Sequence, residues 1–253
     1  MSLHCERVGD GPDVVMLHGW GMNLGLWDPL RTAWAARYRL HLIELPGHGL
    51  SAEPEAAEQW VEACLAAAPG SAHWVGWSLG GQLALQAALA RPDRVAGLSL
   101  VATTPRFVRA ADWPIAMPAG TFSGFAEALA AQPDETLKRF LALQVRGAEA
   151  ARETLQRLRR AAARRPGPRP AALRQGLDLL GNTDLRARLS RVRCPQTWLF
   201  GARDTLVPAG VADWVGDRVP DARVHCIAGA GHAPFLSHPE PSMRWLEESI
   251  DGE

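Results

Sequence analysis

The chain has little of what several common function classes require. Its four cysteines, Cys5, Cys64, Cys194 and Cys226, are far apart, with no C-x-x-C pair and no nearby histidine at zinc-site spacing; they read as scattered buried or inert thiols. No stretch reaches the ~20 apolar residues of a membrane span. The first residues, 1–7, lack the basic region and apolar run of a secretory signal, so a cytoplasmic protein is expected. No P-loop, dinucleotide fingerprint or metal-ligand cluster appears, and neither a metal nor any other cofactor is expected. Positive charge is not in excess: 27 basic residues face 27 acidic ones. That balance argues against nucleic acid or a membrane surface as partner.

What is present suits one sizeable globular domain with an insertion. The 253 residues are 47% hydrophobic and 21% charged, within the range of single α/β domains that bury most of their unfolded surface. The neutral total hides an uneven distribution. Residues 106–191 hold 16 basic and 8 acidic side chains, a net +8, and the remainder holds 11 and 19, a net −8. Lys138 is the only lysine, so the basic segment is almost wholly arginine.

Short apolar runs recur, most of them passing into a loop with glycine. They are Val14–Leu17 before His18-Gly19-Trp20-Gly21, Leu40–Leu45 before Pro46-Gly47-His48-Gly49, and His73–Val75 before Gly76-Trp77-Ser78-Leu79-Gly80-Gly81. Leu98–Val101 is another such apolar run, and Thr197–Phe200 and Val224–Ile227 again pass into loops with glycine. Helical stretches separate most of these runs, which predicts an α/β fold with a mostly parallel central sheet and helices on both faces. Ligands of such sheets bind beyond the carboxyl ends of the strands. From about Arg106 to Leu189 the rhythm changes to helix-like segments, notably Pro133–Val145 and Ala148–Arg165, the latter ending at Pro166-Gly167-Pro168. The expected division is a core of residues 1–105 and 190–253 with a helical cap insertion at 106–189.

A serine hydroxyl is a weak nucleophile near neutral pH and needs exposure, a base and donors for the oxyanion that forms on attack. Gly76-Trp77-Ser78-Leu79-Gly80 meets the first need, because its glycines permit a sharp strand-to-helix turn at Ser78. Asp204, after the Thr197–Phe200 run, and His232, after Val224–Ile227, then follow in the order Ser, Asp, His. An imidazole, with an ordinary pKa of about 6.5, suits removal of the serine proton, and a carboxylate orients it. The expected catalytic set is Ser78, Asp204 and His232. His238, before Pro239, reads as structural, and Asp213, Asp217 and Asp221 as solvated. The expected oxyanion donors are the backbone N–H groups of Leu79 and of Trp20, the latter on a loop that Gly19 lets approach closely. His18 is expected to hold that loop, Trp20 to line the pocket, and Trp77 to lie at the site.

The segments His18–Gly21, Gly76–Gly81 and His232-Ala233-Pro234-Phe235-Leu236-Ser237-His238-Pro239 resemble the BioH family of biotin-pathway carboxylesterases, which have the α/β-hydrolase fold. Arg139-Phe140-Leu141-Ala142-Leu143-Gln144, Gly176-Leu177 and Thr183-Asp184-Leu185-Arg186 resemble the cap signature of that family, so the similarity spans nearly the whole chain. The resemblance implies a serine carboxylesterase that hydrolyses the methyl ester of pimeloyl-acyl carrier protein, releasing methanol. It also implies substrate contacts at Trp20, Leu79, Phe140, Leu141, Ala142, Leu143, Gln144 and His232. An acidic acyl carrier protein would be steered by the basic segment, with docking expected at Arg139, Arg152 and Arg157, and small esters would serve as surrogate substrates. A monomer is expected. The same triad also serves enzymes acting on other small esters or on C–C bonds, and a ligand-binding protein without turnover is the alternative from another class.

Overall fold

Apolar side chains alternate along the strands and bury both faces of one seven-stranded sheet. Val15 and Leu17 face one hydrophobic cluster, while Val14 and Met16 face another, as the two-residue period of a strand dictates. The computed structural model describes residues 2–53 and 55–252. The strands are β1 (Cys5–Val8), β2 (Asp13–Leu17), β3 (Arg39–Ile43), β4 (Ala72–Trp77), β5 (Val95–Val101), β6 (Gln196–Gly201) and β7 (Arg223–Ile227). Their order is β1-β3-β2-β4-β5-β6-β7. Only β1 runs antiparallel, pairing Cys5 with Ile43; the other neighbours are parallel.

The sequence reading omits β1. Its four residues are mixed in character and only half-buried, so they carry no strong apolar signal. The four thiols are free; Cys64 is buried, but Cys226 is exposed, because β7 is an edge strand.

The helices are α1 (Asp28–Ala35), α2 (Trp60–Ala67), α3 (Leu79–Ala90), α4 (Ala119–Ala131), α5 (Pro133–Leu143), α6 (Ala151–Ala162), α7 (Pro170–Asn182), α8 (Gly210–Arg218), α9 (Pro234–Ser237) and α10 (Pro239–Asp251). Helices α2, α3 and α8 cover one face through Cys64, Leu83 and Val211. On the other, α1 and α10 pack through Leu30, Trp34 and Leu246. Four helices, α4 to α7, lie between β5 and β6. Among the described residues, no helix is long and apolar enough to cross a membrane.

The inserted segment and the core carry opposite charge, and part of that charge meets at their seam. Arg164 pairs with Asp28 at 3.1 Å, Arg169 with Glu53 at 3.3 Å, and Arg165 with Glu6. Each such exposed or half-exposed pair contributes about 0–1 kcal/mol. Together they orient the α6–α7 connection on the core, and the Arg169 N–H donates to the Gly47 carbonyl at 2.9 Å.

Candidate active site

The carboxyl ends of β2, β4, β6 and β7 bring four loops to one place. At the end of β4 the chain turns so sharply that Ser78 adopts φ 56°, ψ −118°, a conformation that costs a non-glycine residue about 1–3 kcal/mol. Close approach explains the glycines beside it. A Cβ on Gly76 would lie 2.5 Å from Gly81 Cα, and one on Gly80 would lie 2.4 Å from the Leu17 carbonyl oxygen. The turn thus seats α3 directly against β4 and β2, with Ser78 at its head.

His232 Nε2 lies 2.9 Å from Ser78 Oγ, and His232 Nδ1 lies 2.7 Å from Asp204 Oδ2. Asp204 Oδ1 accepts the N–H groups of Leu206 at 2.8 Å and Val207 at 3.0 Å. Both carboxylate oxygens are therefore bonded, and the side chains of His232 and Asp204 are 1% and 0% exposed. With Nδ1–H donated to the carboxylate, Nε2 is left to accept the serine proton. The rival groups lie elsewhere: His238 Nδ1 bonds Ser237 Oγ at 2.8 Å at the start of α10, and Asp213 and Asp217 sit within α8.

The His18–Gly21 loop presses on Ser78 from the β2 side. A Cβ on Gly19 would come within 2.8 Å of Trp77 Cε3 and 3.2 Å of Ser78 Cβ. Two buried imidazoles brace this loop. His18 Nδ1–H donates to the Gly19 carbonyl at 2.8 Å while its Nε2 accepts the Leu45 N–H at 3.0 Å. His48 Nδ1–H donates to the Pro46 carbonyl at 2.9 Å, and its Nε2 accepts the Gly21 N–H at 3.3 Å. Each ring uses one nitrogen as donor and one as acceptor, the neutral form. Burial lowers the pKa of His18 to about 3, helped by the neighbouring His48, and that of His48 to about 4. His48 has no part in the sequence reading, since only folding sets it against Gly21.

Between the braces, the Trp20 N–H has no hydrogen-bond partner among the described residues. Leu79 opens α3, where an N–H lacks an intrahelical acceptor. Those are two free donors beside Ser78. Gly19→Val is expected to drive its side chain into Trp77 and displace the Trp20 N–H, lowering esterase kcat by about 10²–10³-fold, the scale for one lost oxyanion donor. Steady-state kinetics on a variant with near-parental melting temperature checks this. Unchanged kcat would move the second donor elsewhere.

An apolar pocket lies under α4, α5 and α7, lined by Phe107, Phe122, Phe125, Phe140, Leu143 and Leu206 among others. Phe107 also lines the small space at Ser78, so the two adjoin. Of the expected substrate-contact residues in and after α5, Phe140 and Leu143 line the cavity. Leu141 packs into the cluster that contains Leu158 of α6, and Ala142 is exposed. Gln144 is buried, with both ends of its amide unpartnered by protein groups. Trp20 does not line that cavity. The residue is 1% exposed, and its ring meets Phe140 edge-on at 4.9 Å and donates its indole N–H to the Leu173 carbonyl at 2.9 Å. The sequence cannot show this, because Leu173 is 153 residues away.

The inserted segment also bonds to the other two loops. The His232 N–H donates to the Gln144 carbonyl at 2.9 Å, and the Glu149 N–H to the Gly229 carbonyl at 2.8 Å. Thr205 Oγ1 donates to the Leu143 carbonyl at 3.2 Å. Of the arginines expected to dock a carrier, Arg139 and Arg152 are exposed and lie in no ion pair among the described residues. Arg157 is engaged, with Glu153 at 2.5 Å and the Leu236 carbonyl at 2.7 Å.

This architecture, with its strand order and the turn at Ser78, defines an α/β hydrolase, and the chain belongs to the alpha/beta hydrolase family, whose sequence profile matches residues 14–243. Within that family it groups with proteins named pimeloyl-[acyl-carrier protein] methyl ester esterase. It is 46% identical over 241 residues to that of Nitrosomonas europaea, covering 94% of this chain and 96% of the relative. To that of Aeromonas hydrophila it is 41% identical over 254 residues, covering 99% and 100%. Among solved structures, an esterase from Exiguobacterium antarcticum superposes with a TM-score of 0.87 at 21% identity, covering 98% of this chain and 95% of that one. An enol-lactonase from Burkholderia xenovorans gives 0.82 at 18%, covering 98% and 96%. These two likenesses concern the fold alone.

Proposed function

We propose that this chain hydrolyses the methyl ester of pimeloyl-acyl carrier protein, a step of biotin synthesis, through an acyl-enzyme intermediate on Ser78. The observation that carries this reading is the hydrogen-bonded line from Ser78 through His232 to Asp204 beside an apolar cavity, in a chain 41–46% identical to esterases of that name. Ser78 Oγ attacks the ester carbonyl as His232 Nε2 takes its proton. The carbonyl oxygen becomes an oxyanion held by the N–H groups of Trp20 and Leu79. Collapse breaks the C–O bond to the methoxy group, which leaves as methanol with the proton from His232. Water then attacks the acyl-enzyme by the same route in reverse roles, freeing Ser78 and a carboxylate.

In this reading residues 106–189 form a cap whose apolar cavity receives the methylene chain through Phe140 and Leu143. The buried amide of Gln144 is the nearby polar group available to substrate, since an unpaired buried amide is costly without a partner. Leu141 and Ala142 have weaker support as contacts, being turned to α6 and to solvent. The carrier meets the exposed Arg139 and Arg152, whereas Arg157 has a structural use as well.

The decisive experiment compares kcat/KM for the carrier-bound methyl ester with that for a short neutral ester. A marked preference for the carrier substrate is expected; equal values would reduce the function to general ester hydrolysis. Charge reversal sharpens the test, because opposite charge accelerates encounter with an acidic carrier and does little for a small neutral ester. The double variant Arg139→Glu, Arg152→Glu is expected to lower kcat/KM for the carrier substrate about tenfold or more, ~1.4 kcal/mol per factor of ten. Small-ester hydrolysis should stay within about twofold, and added salt should mimic the reversal by screening exposed charges. Equal losses on both substrates would indicate damaged cap packing.

A further inference from the structure

Trp77 is the last residue of β4, directly before Ser78, and its side chain is buried. Its indole N–H donates to the main-chain carbonyl of His232 at 2.7 Å. The ring also stands 5.5 Å from the His232 imidazole and 5.8 Å from Phe235, centroid to centroid. On its other side it sets the floor for Gly19, where a Cβ would collide with Cε3. The opposite end of His232 is fixed as well, since its N–H donates to the Gln144 carbonyl. Both main-chain polar groups of His232 are therefore tied down.

We propose that Trp77 is a positioning residue: it holds His232 over Ser78 through the His232 carbonyl and backs the Gly19–Trp20 loop with the same ring. The need for such a clamp follows from the loop after β7. Gly229 at φ 77° and Gly231 lie just before His232, and glycine leaves a chain conformationally loose. Two short bonds to His232 must nevertheless hold together, one to Ser78 and one to Asp204. Loss of the indole donor leaves a buried carbonyl unbonded and frees the loop to shift, and displacement of a reacting group by about 1 Å costs on the order of 10²-fold in rate. Trp77 acts through His232 and the oxyanion loop without touching substrate. The inference rests on the triad assignment above.

The test counts active sites by titration with a serine-reactive phosphonate and reports kcat per titrated site. Trp77→Phe keeps a ring but loses the donor; Trp77→His keeps a ring N–H. The control is Trp34→Phe, which removes another buried indole donor, bonded to Glu247 Oε1 at 2.9 Å on the α1–α10 seam. Trp77→Phe is expected to lower kcat roughly 10- to 100-fold with KM within about twofold. Trp77→His should recover part of the loss, while Trp34→Phe lowers the melting temperature and leaves kcat per site unchanged. If Trp77→Phe blocks folding, Phe235→Leu, which removes the ring packed on Trp77 at 5.8 Å, must show a loss confined to kcat. Parental kcat in Trp77→Phe, or equal losses in the phenylalanine and histidine variants, would overturn the proposal. Failure of the triad assignment has a different signature: Ser78→Ala would keep its turnover and the phosphonate label would sit on another residue.

Discussion

Replacing Ser78 or His232 with alanine is expected to lower esterase kcat by about 10⁴–10⁶-fold, with the fold retained. The two act as one unit, so removing either leaves only binding and the oxyanion donors. Retention of the fold follows from the local geometry. Ser78 adopts positive φ, and its hydroxyl bonds the imidazole rather than any strand, so the methyl group of alanine leaves the β4–α3 junction unaltered. Its main-chain N–H still reaches the Val101 carbonyl at 2.9 Å. The measurement is kcat on a small ester together with phosphonate labelling, which Ser78→Ala should abolish. A folded Ser78→Ala protein with more than about one per cent of parental kcat would contradict the nucleophile assignment.

Asp204→Asn should cost about 10⁴-fold, and the hydrogen bonds around Asp204 say why. Oδ1 accepts two N–H groups, from Leu206 and Val207, so an asparagine keeps its carbonyl oxygen there. Its NH₂ group must then face His232 Nδ1. A donor at that position makes Nδ1 the acceptor and moves the ring proton to Nε2, where it faces Ser78 Oγ and blocks proton abstraction. The substitution alters charge and tautomer with little change of shape, so the melting temperature should fall far less than activity. Near-parental turnover in a well-folded Asp204→Asn protein would assign the orienting acid elsewhere.

The structure also bears on how the inserted helices relate to catalysis. The inserted segment does more than cover the pocket: Gln144 holds His232, Leu143 holds Thr205 beside Asp204, and Leu173 holds the Trp20 indole. The segment that lines the apolar pocket therefore also holds the loops that carry His232 and Asp204. It follows that substitutions along 143–149 should affect small and carrier-bound esters together, unlike those at Arg139 and Arg152.

Sequence by itself determined the elements whose cause is local. Short β-branched and leucine-rich runs marked β2 to β7, and burial on both faces leaves β2 to β6 as nearly continuous apolar strands. The spacing Gly76-Trp77-Ser78-Leu79-Gly80 marked the turn, since only glycine fits where α3 meets β2 and β4. Even the order Ser, Asp, His was legible, because each residue follows its own strand directly. Tertiary structure alone decided the rest. His48 braces Gly21, Trp77 bonds His232 across 155 positions, and the charge asymmetry is partly neutralised where Arg164 and Arg165 meet Asp28 and Glu6. The physical reason is range: propensity and periodicity act over a few residues, whereas these contacts form only after packing brings distant segments within hydrogen-bond distance.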